Sequence, residues 1–361
     1  MDEKYADQLL APIAPWLDDP DVTGIMADGH ERVYVERRSL PGKFEDVLSP
    51  FQDDEQLLQM MRDVLAPLGK TLDAAAPYAD VRLPDGSRLH AVVPPISLAG
   101  PSLTVRKFSI VPLSVEDVIR FGSWTRDMVA FLRAAVRARL NILIAGGAMS
   151  GKTTVANLLA GMADPDDRIV TVEPVDELRL PEHLKYVVRM ESRPPDMEGR
   201  GAVTMRDLVW NALRMRPDRI VVSDLMEGDA VLELVDAMNR GHEGNLLTMH
   251  ANGAHDALAR LEMMVTSTNP TIPLLNIRHK IAAALDVITY QERMKDGRRR
   301  MVAVAEVAGM RGDAILLQDI FMLQPDDGPE GKGAGHFTGH VPGFIDRLRM
   351  TGVDLPEGLC K

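Results

Sequence analysis

The chain has 361 residues, enough to bury a substantial core and to divide into two or three domains. A formal net charge of -12 with only 4% aromatic residues argues against wrapping nucleic acid through a broad basic face. The lone Cys360 rules out a disulfide framework and fits a reducing compartment.

The start, Met1-Asp2-Glu3-Lys4, lacks the basic and apolar segments of a secretory signal. Gly24 to Gly29 followed by Arg32 to Glu36 predicts a turn feeding a short strand. Asp53 to Leu68 carries Leu57, Leu58, Met61, Val64, Leu65 and Leu68 at helical spacing. Asp80 to Val92 predicts a hairpin turning at Asp85-Gly86, and Leu103 to Phe108 a further strand. Pro94, Pro95, Pro101 and Pro112 interrupt this stretch, and a domain boundary is expected at Ser109 to Ser114. The apolar stretch from Val129 to Ala145 is broken by Arg133, Arg137 and Arg139, so no run reaches the ~18 residues of a spanning helix. A membrane span is not expected, and peripheral attachment to membrane proteins stays open.

From Val115 the pattern becomes alternating helices and strongly apolar strands, as in a parallel sheet covered on both faces. Asn141 to Ala145 predicts a buried strand, Gly146-Gly147-Ala148-Met149-Ser150-Gly151-Lys152-Thr153 matches the phosphate-loop pattern, and Lys152 to Met162 predicts a helix. Strand, glycine-rich turn and helix start together aim backbone N–H groups at a phosphate. Lys152 is expected against the β- and γ-phosphates of ATP, with Thr153, and Thr154 behind it, at the Mg²⁺ side. Arg168 to Glu173 and Arg219 to Asp224 are strands that each end in an acid. Strand ends converge beside such a loop. Asp224 is therefore the candidate for the Mg²⁺ shell, partly through water, and Glu173 and Glu177 for orienting an attacking water. The alternative is that Glu173 to Glu177 is a solvated turn.

Thr204 to Arg216 predicts a helix capped by Thr204 and stopped by Pro217. Gly228 to Arg240 predicts another helix, and Asn245 to His250 a strand whose His250 could sense a γ-phosphate. His242 is a second histidine candidate; neither has the cysteine or ligand spacing of a zinc site. Cations for the developing phosphate charge could come from Arg82, Arg88 and Arg106, or from Arg206, Arg214, Arg216 and Arg219; salt bridges explain the same residues equally well. Gln324 to His340, rich in Pro, Gly and charge, predicts a mobile loop.

Several separated strings together resemble the type II and type IV secretion ATPases, in particular the CpaF-like branch of tight-adherence pilus assembly. They are Arg82-Leu83-Pro84-Asp85-Gly86-Ser87-Arg88, Gly100 to Phe108, Gly151-Lys152-Thr153-Thr154, Leu213 to Ile220, and Thr248-Met249-His250-Ala251-Asn252, with Asp296-Gly297-Arg298 and Glu306 to Gly309 in support. The resemblance implies an α/β fold: a RecA-like P-loop NTPase domain over 111–361, including a C-terminal extension, behind a smaller α/β domain over 1–110. It further implies a homo-hexameric ring, cytoplasmic, docked on an inner-membrane platform protein, using ATP and Mg²⁺ to move pilins. By carry-over, Lys152 and Thr153 are the Walker A pair and Asp224 stands at the Walker B acid. Glu173 and Glu177 frame the acidic box, and His242 and His250 lie in the histidine box. Arg82, Arg88 and Arg106 are similar to the arginines that reach nucleotide across the ring.

This chain departs from the family pattern around one pocket. Ala148-Met149 stands where threonine and glycine are usual, and a non-glycine forced to positive φ costs roughly 1 kcal/mol. Pro174 replaces an aspartate, Ser223-Asp224 replaces Gly-Glu, Met226 replaces an arginine, and Arg240 replaces a threonine, which could restore the lost charge. These changes set two expectations: a working motor, or a nucleotide-binding paralogue with little turnover. A nucleic-acid translocase is a third class, disfavoured by the acidic balance.

Overall fold

The computed structural model describes residues 8–37, 43–107, 113–195, 199–324 and 335–360. The chain resolves into two compact units, 1–111 and 112–361.

The first unit is a six-stranded antiparallel sheet in the order β3-β2-β1-β6-β5-β4. Its strands are β1 (Val22–Asp28), β2 (Arg32–Arg37), β3 (Phe44–Val47), β4 (Tyr78–Arg82), β5 (Arg88–Val92) and β6 (Ser102–Arg106). Alternation sets one face: Leu89 and Ala91 are buried while Arg88 and His90 are exposed. Helix α1 (Asp54–Leu65) covers that face with Leu57, Met61, Val64 and Leu65, and Asp53 caps it by accepting the Gln56 N–H at 2.8 Å. The predicted helix over Asp53 to Leu68 ends as α-helix at Leu65 and continues as a 3-10 turn. The segment from Gly24, expected as a turn, is instead the middle of β1, paired on both sides. Ile25 and Ala27 supply the buried alternation there, and it outweighs the glycine.

The second unit is built on a nine-stranded mixed sheet in the order β15-β14-β13-β12-β7-β11-β10-β8-β9. Its parallel part comprises β7 (Ile142–Gly146), β8 (Arg168–Glu173), β9 (Tyr186–Glu191), β10 (Arg219–Val222), β11 (Leu246–His250) and β12 (Val287–Arg293). Three antiparallel strands extend it: β13 (Arg299–Arg311), β14 (Ala314–Leu323) and β15 (Gly335–Phe337).

Successive residues of β7 feed opposite cores, as a sheet covered on both faces requires. Ile142 and Ile144 pack with Phe131, Leu132, Leu159 and Phe321, beneath α2 (Val115–Arg120), α3 (Arg126–Arg137) and α4 (Lys152–Ala160). Leu143 and Ala145 pack with Val209, Leu234, Leu261 and Ile277 of α5 (Met205–Arg214), α6 (Gly228–Asn239), α7 (Ala254–Thr268) and α8 (Leu274–Ala284). The predicted cap at Thr204 is present as a capping box with Asp207. Part of the loop expected over Gln324 to His340 is β15, held against β14; residues 325–334 of that expectation lie outside the described residues. So does Ser109 to Pro112 of the expected boundary. Among the described residues no helix is long and apolar enough to cross a membrane.

Candidate functional site

The parallel register puts the C-terminal ends of β7, β11, β10 and β8 along one edge of the sheet, with His250 directly beside Gly146. β7 stops at Gly146, α4 starts at Lys152, and the residues between them turn at that edge. Gly146 is required by close approach: a Cβ there would lie 2.4 Å from Ser150 Oγ and 2.5 Å from the Gln291 carbonyl. Ala148 and Met149 are exposed, whereas Ser150 is buried. Met149 holds φ +59°, so the expected non-glycine at positive φ is present in the loop itself. Gly147 faces open space, as a cradle for a ligand requires.

Lys152 is 8% exposed and donates from Nζ to the Gly147 carbonyl at 2.9 Å, with His250 Nδ1 3.4 Å away. Burial pulls its ammonium below the ordinary lysine range, and the charges of Asp224 and Glu177 oppose that pull. Thr153 donates from Oγ1 to Glu177 Oε2 at 3.3 Å. Asp224 follows β10 with φ +51°, its N–H donating to Thr248 Oγ1 at 2.8 Å. Its Oδ1 is buried without a hydrogen-bond partner among the described residues, 3.5 Å from His250 Nε2 but out of hydrogen-bond alignment. The structure thus gathers Lys152, Thr153, Glu177, Asp224 and His250 at one sheet edge.

Glu173 plays a different part from the one its position suggested. It is fully buried, and its Oε2 accepts the N–H groups of Glu177 and Leu178, each at 2.8 Å. Burial pushes its carboxyl up to about 7, against the lowering effect of those two donors. It holds the loop that carries Glu177 rather than facing a solvent water. The reason is local: the chain after Pro174 folds back over the carboxyl and returns two N–H groups to it.

His242 is not brought to the phosphate loop. It follows α6 and precedes β11, at the opposite end of the strand from His250, about 16 Å of strand away. Arg240 ends α6 at that same far side and cannot restore charge at the site. Arg219 begins β10 there as well, 2% exposed and 2.6 Å from Asp167. Arg214 lies 3.8 Å over the Trp210 ring. In the first unit, Arg82, Arg88 and Arg106 are consecutive cross-strand neighbours on β4, β5 and β6. Three like charges in one row repel; Asp80 relieves this by a two-point pairing to Arg88, which holds its own carboxyl below the usual range.

Sequence reasoning missed the β12–β13 hairpin. Gln291 is in register with Gly146, so Arg293 and its cross-strand partner Arg299 flank the loop. Arg299 Nε donates to the Met149 carbonyl at 2.9 Å. The Asp296-Gly297 turn marks a hairpin in the sequence, but nothing in sequence says that it lies beside residue 149.

The donor set fits a magnesium-bound polyphosphate. Open backbone at Gly147, a buried cation and the hydroxyl and carboxylate oxygens of Thr153, Glu177 and Asp224 are the hard, oxygen-rich lining that such a group takes. Among the described residues no three His, Cys, Asp or Glu side chains converge to hold a metal by themselves. Mg²⁺ takes few protein ligands and completes its shell with phosphate oxygens and waters.

A profile of the family described as "Type II/IV secretion system protein" matches residues 6–306. The chain is 34% identical over 290 residues to a Mycobacterium tuberculosis protein named for conjugal transfer, covering 79% of this chain and 80% of that one. It is 28% identical over 320 residues to the type IV secretion system protein VirB11 of Brucella suis, covering 81% and 88%. Among solved structures, the Legionella pneumophila ATPase DotB is similar with a TM-score of 0.58 at 17% identity, covering 84% of this chain and 80% of that one. At that identity the likeness speaks to the fold alone.

Proposed function

The chain belongs to the type II/IV secretion system protein family, and from that premise we propose that it is an Mg²⁺-dependent ATPase driving pilus assembly or secretion. One observation carries the reading: Lys152, Thr153, Glu177, Asp224 and His250, scattered over almost 100 residues, converge on a glycine-rich turn between a buried strand and a helix start. Bound Mg²⁺ would supply charge neutralisation on the β- and γ-phosphates. Lys152 would exchange its Gly147 carbonyl partner for phosphate oxygens, and Thr153 and Asp224 would hold the metal from the protein side. Glu177, kept in place through its backbone by Glu173, orients the attacking water.

The finer assignment follows the motif strings: a CpaF-like motor, cytoplasmic, assembled as a homo-hexamer on an inner-membrane platform protein. The row of Arg82, Arg88 and Arg106 is the surface offered to the phosphates of a neighbouring copy. No direct role for nucleic acid enters this reading.

A second reading, a nucleotide-binding subunit with little turnover, is favoured by the backbone at Asp224. That residue is one methylene shorter than glutamate and sits at φ +51°, a conformation that side-chain-bearing residues adopt at a cost. Steady-state ATP turnover by the purified protein, set beside Lys152→Ala, separates the two. Turnover well above the Lys152→Ala background supports the motor; Mg-ADP binding with background turnover supports the second reading; no binding refutes both.

A further inference from the structure

Met149 and Arg299 are separated by 150 positions in the chain and joined by one hydrogen bond, from Arg299 Nε to the Met149 carbonyl. Met149 holds a left-handed backbone, which a side-chain-bearing residue adopts at a cost. In a trans peptide the carbonyl of one residue and the N–H of the next point in opposite directions. Pinning the Met149 carbonyl outward therefore turns the Ser150 N–H inward, where it now faces the Gly147 carbonyl at 3.4 Å. That inward N–H belongs to the ring of donors that a phosphate would meet.

Three further features surround this pairing. A Cβ at Gly151 would lie 3.1 Å from Arg299 Cδ, so the glycine leaves room for the arginine stem. Arg293, across the hairpin from Arg299, places Nη1 3.9 Å from Met149 Sδ. Ser123 braces the start of β13 from behind, donating from Oγ to the Arg299 carbonyl and accepting the Met301 N–H at 3.0 Å.

We infer that Arg299 is a positioning residue: it locks the Met149–Ser150 peptide in the orientation that presents the Ser150 N–H to phosphate, offsetting the missing glycine at 149. The inference rests on the nucleotide-binding reading of the loop and adds to it how this particular loop keeps its shape.

The test uses Arg299→Ala, Arg299→Gln and the double variant Met149→Gly/Arg299→Ala in the full chain, with two readouts. One is amide hydrogen exchange at Ser150 in nucleotide-free protein; the other is Mg-ADP affinity by calorimetry. Loss of the clamp is expected to speed exchange and weaken affinity by about tenfold, equivalent to about 1.4 kcal/mol. Glycine at 149 is expected to recover most of both, because it adopts the left-handed backbone without help. Unchanged exchange in both single variants overturns the inference. So does weakened affinity that Met149→Gly fails to recover, which would make Arg299 a direct charge contact. If the wild-type chain binds no Mg-ADP, the nucleotide reading fails, and the exchange comparison still decides whether Arg299 orders the loop.

Discussion

Glu173 gives the sharpest quantitative expectation. Its carboxyl is fully buried, one oxygen accepts two backbone N–H groups, and the other makes no hydrogen bond among the described residues. Burial raises it from 4.5 to about 7. Because the native state holds this proton more tightly than the unfolded chain, the folded protein keeps it between pH 4.5 and 7 where the unfolded chain has lost it. Stability contributed by this group is therefore fully present at low pH, falls as pH rises through that window, and levels off above it. At about 1.4 kcal/mol per pH unit, the total is roughly 3 kcal/mol. Glu173→Gln carries no charge at any of these pH values and keeps an acceptor for the two N–H groups. Its new amide lacks a buried acceptor, which costs about 1–3 kcal/mol at every pH. The variant should thus be less stable than wild type near pH 5 and gain on it steadily, by roughly 3 kcal/mol, up to pH 8. Urea unfolding of both proteins at matched ionic strength measures this difference, and contributions from other titrating groups cancel in it. A difference that stays flat from pH 5 to pH 8 would refute the reasoning. A difference running the other way would mean that the two N–H donors outweigh burial.

Three other expectations concern chemistry and packing. Asp224→Glu lengthens the carboxylate by one methylene and should raise ATP turnover, by up to ~10²-fold if reach limits the reaction; an unchanged rate in steady-state assays shows that it does not. Arg219→Ala empties a buried site beside Asp167, only 5% exposed, and leaves it Arg139 as its cation partner at 2.6 Å. With that partner kept, the cost should stay below the about 3–5 kcal/mol of an uncompensated buried charge, readable as a lower melting temperature, with nucleotide affinity altered little because the pair lies at the far sheet edge. Gly228→Ala would place a Cβ 2.0 Å from the Met264 carbonyl, where α6 starts against α7. Forced separation of these helices should cost about 1–3 kcal/mol or more, and a melting temperature within a degree of wild type would show that the contact is looser than it looks.

What could be read from the sequence was whatever is local in the chain. The phosphate loop announces itself because strand, glycine turn and helix start are contiguous, and β8 and β10 betray their place by apolar runs that end in acids. Thr204 and Asp207 show the cap because both partners sit within one turn. The rest depends on pairings across long sequence separations. Arg299 reaches Met149 only because β12 lies alongside β7, and no periodicity encodes which strand is its neighbour. Glu173 reads as a strand-end acid, and its burial comes from a backbone that doubles over it. His242 and His250 are eight positions apart and look like one cluster, yet an extended strand carries them to opposite edges. Gly24 and the short β15 went unread as strands because composition outvoted pairing.

The placement of β11 has a mechanical corollary. This strand is laced to β7 on one flank and to β10 on the other, with His250 at one tip and the segment bearing His242 and Arg240 leading into the other. A rod bonded along both sides cannot slip lengthwise without breaking two ladders at once. Its two tips therefore keep a fixed separation, set by the same hydrogen bonds that hold β7 and β10 beside it.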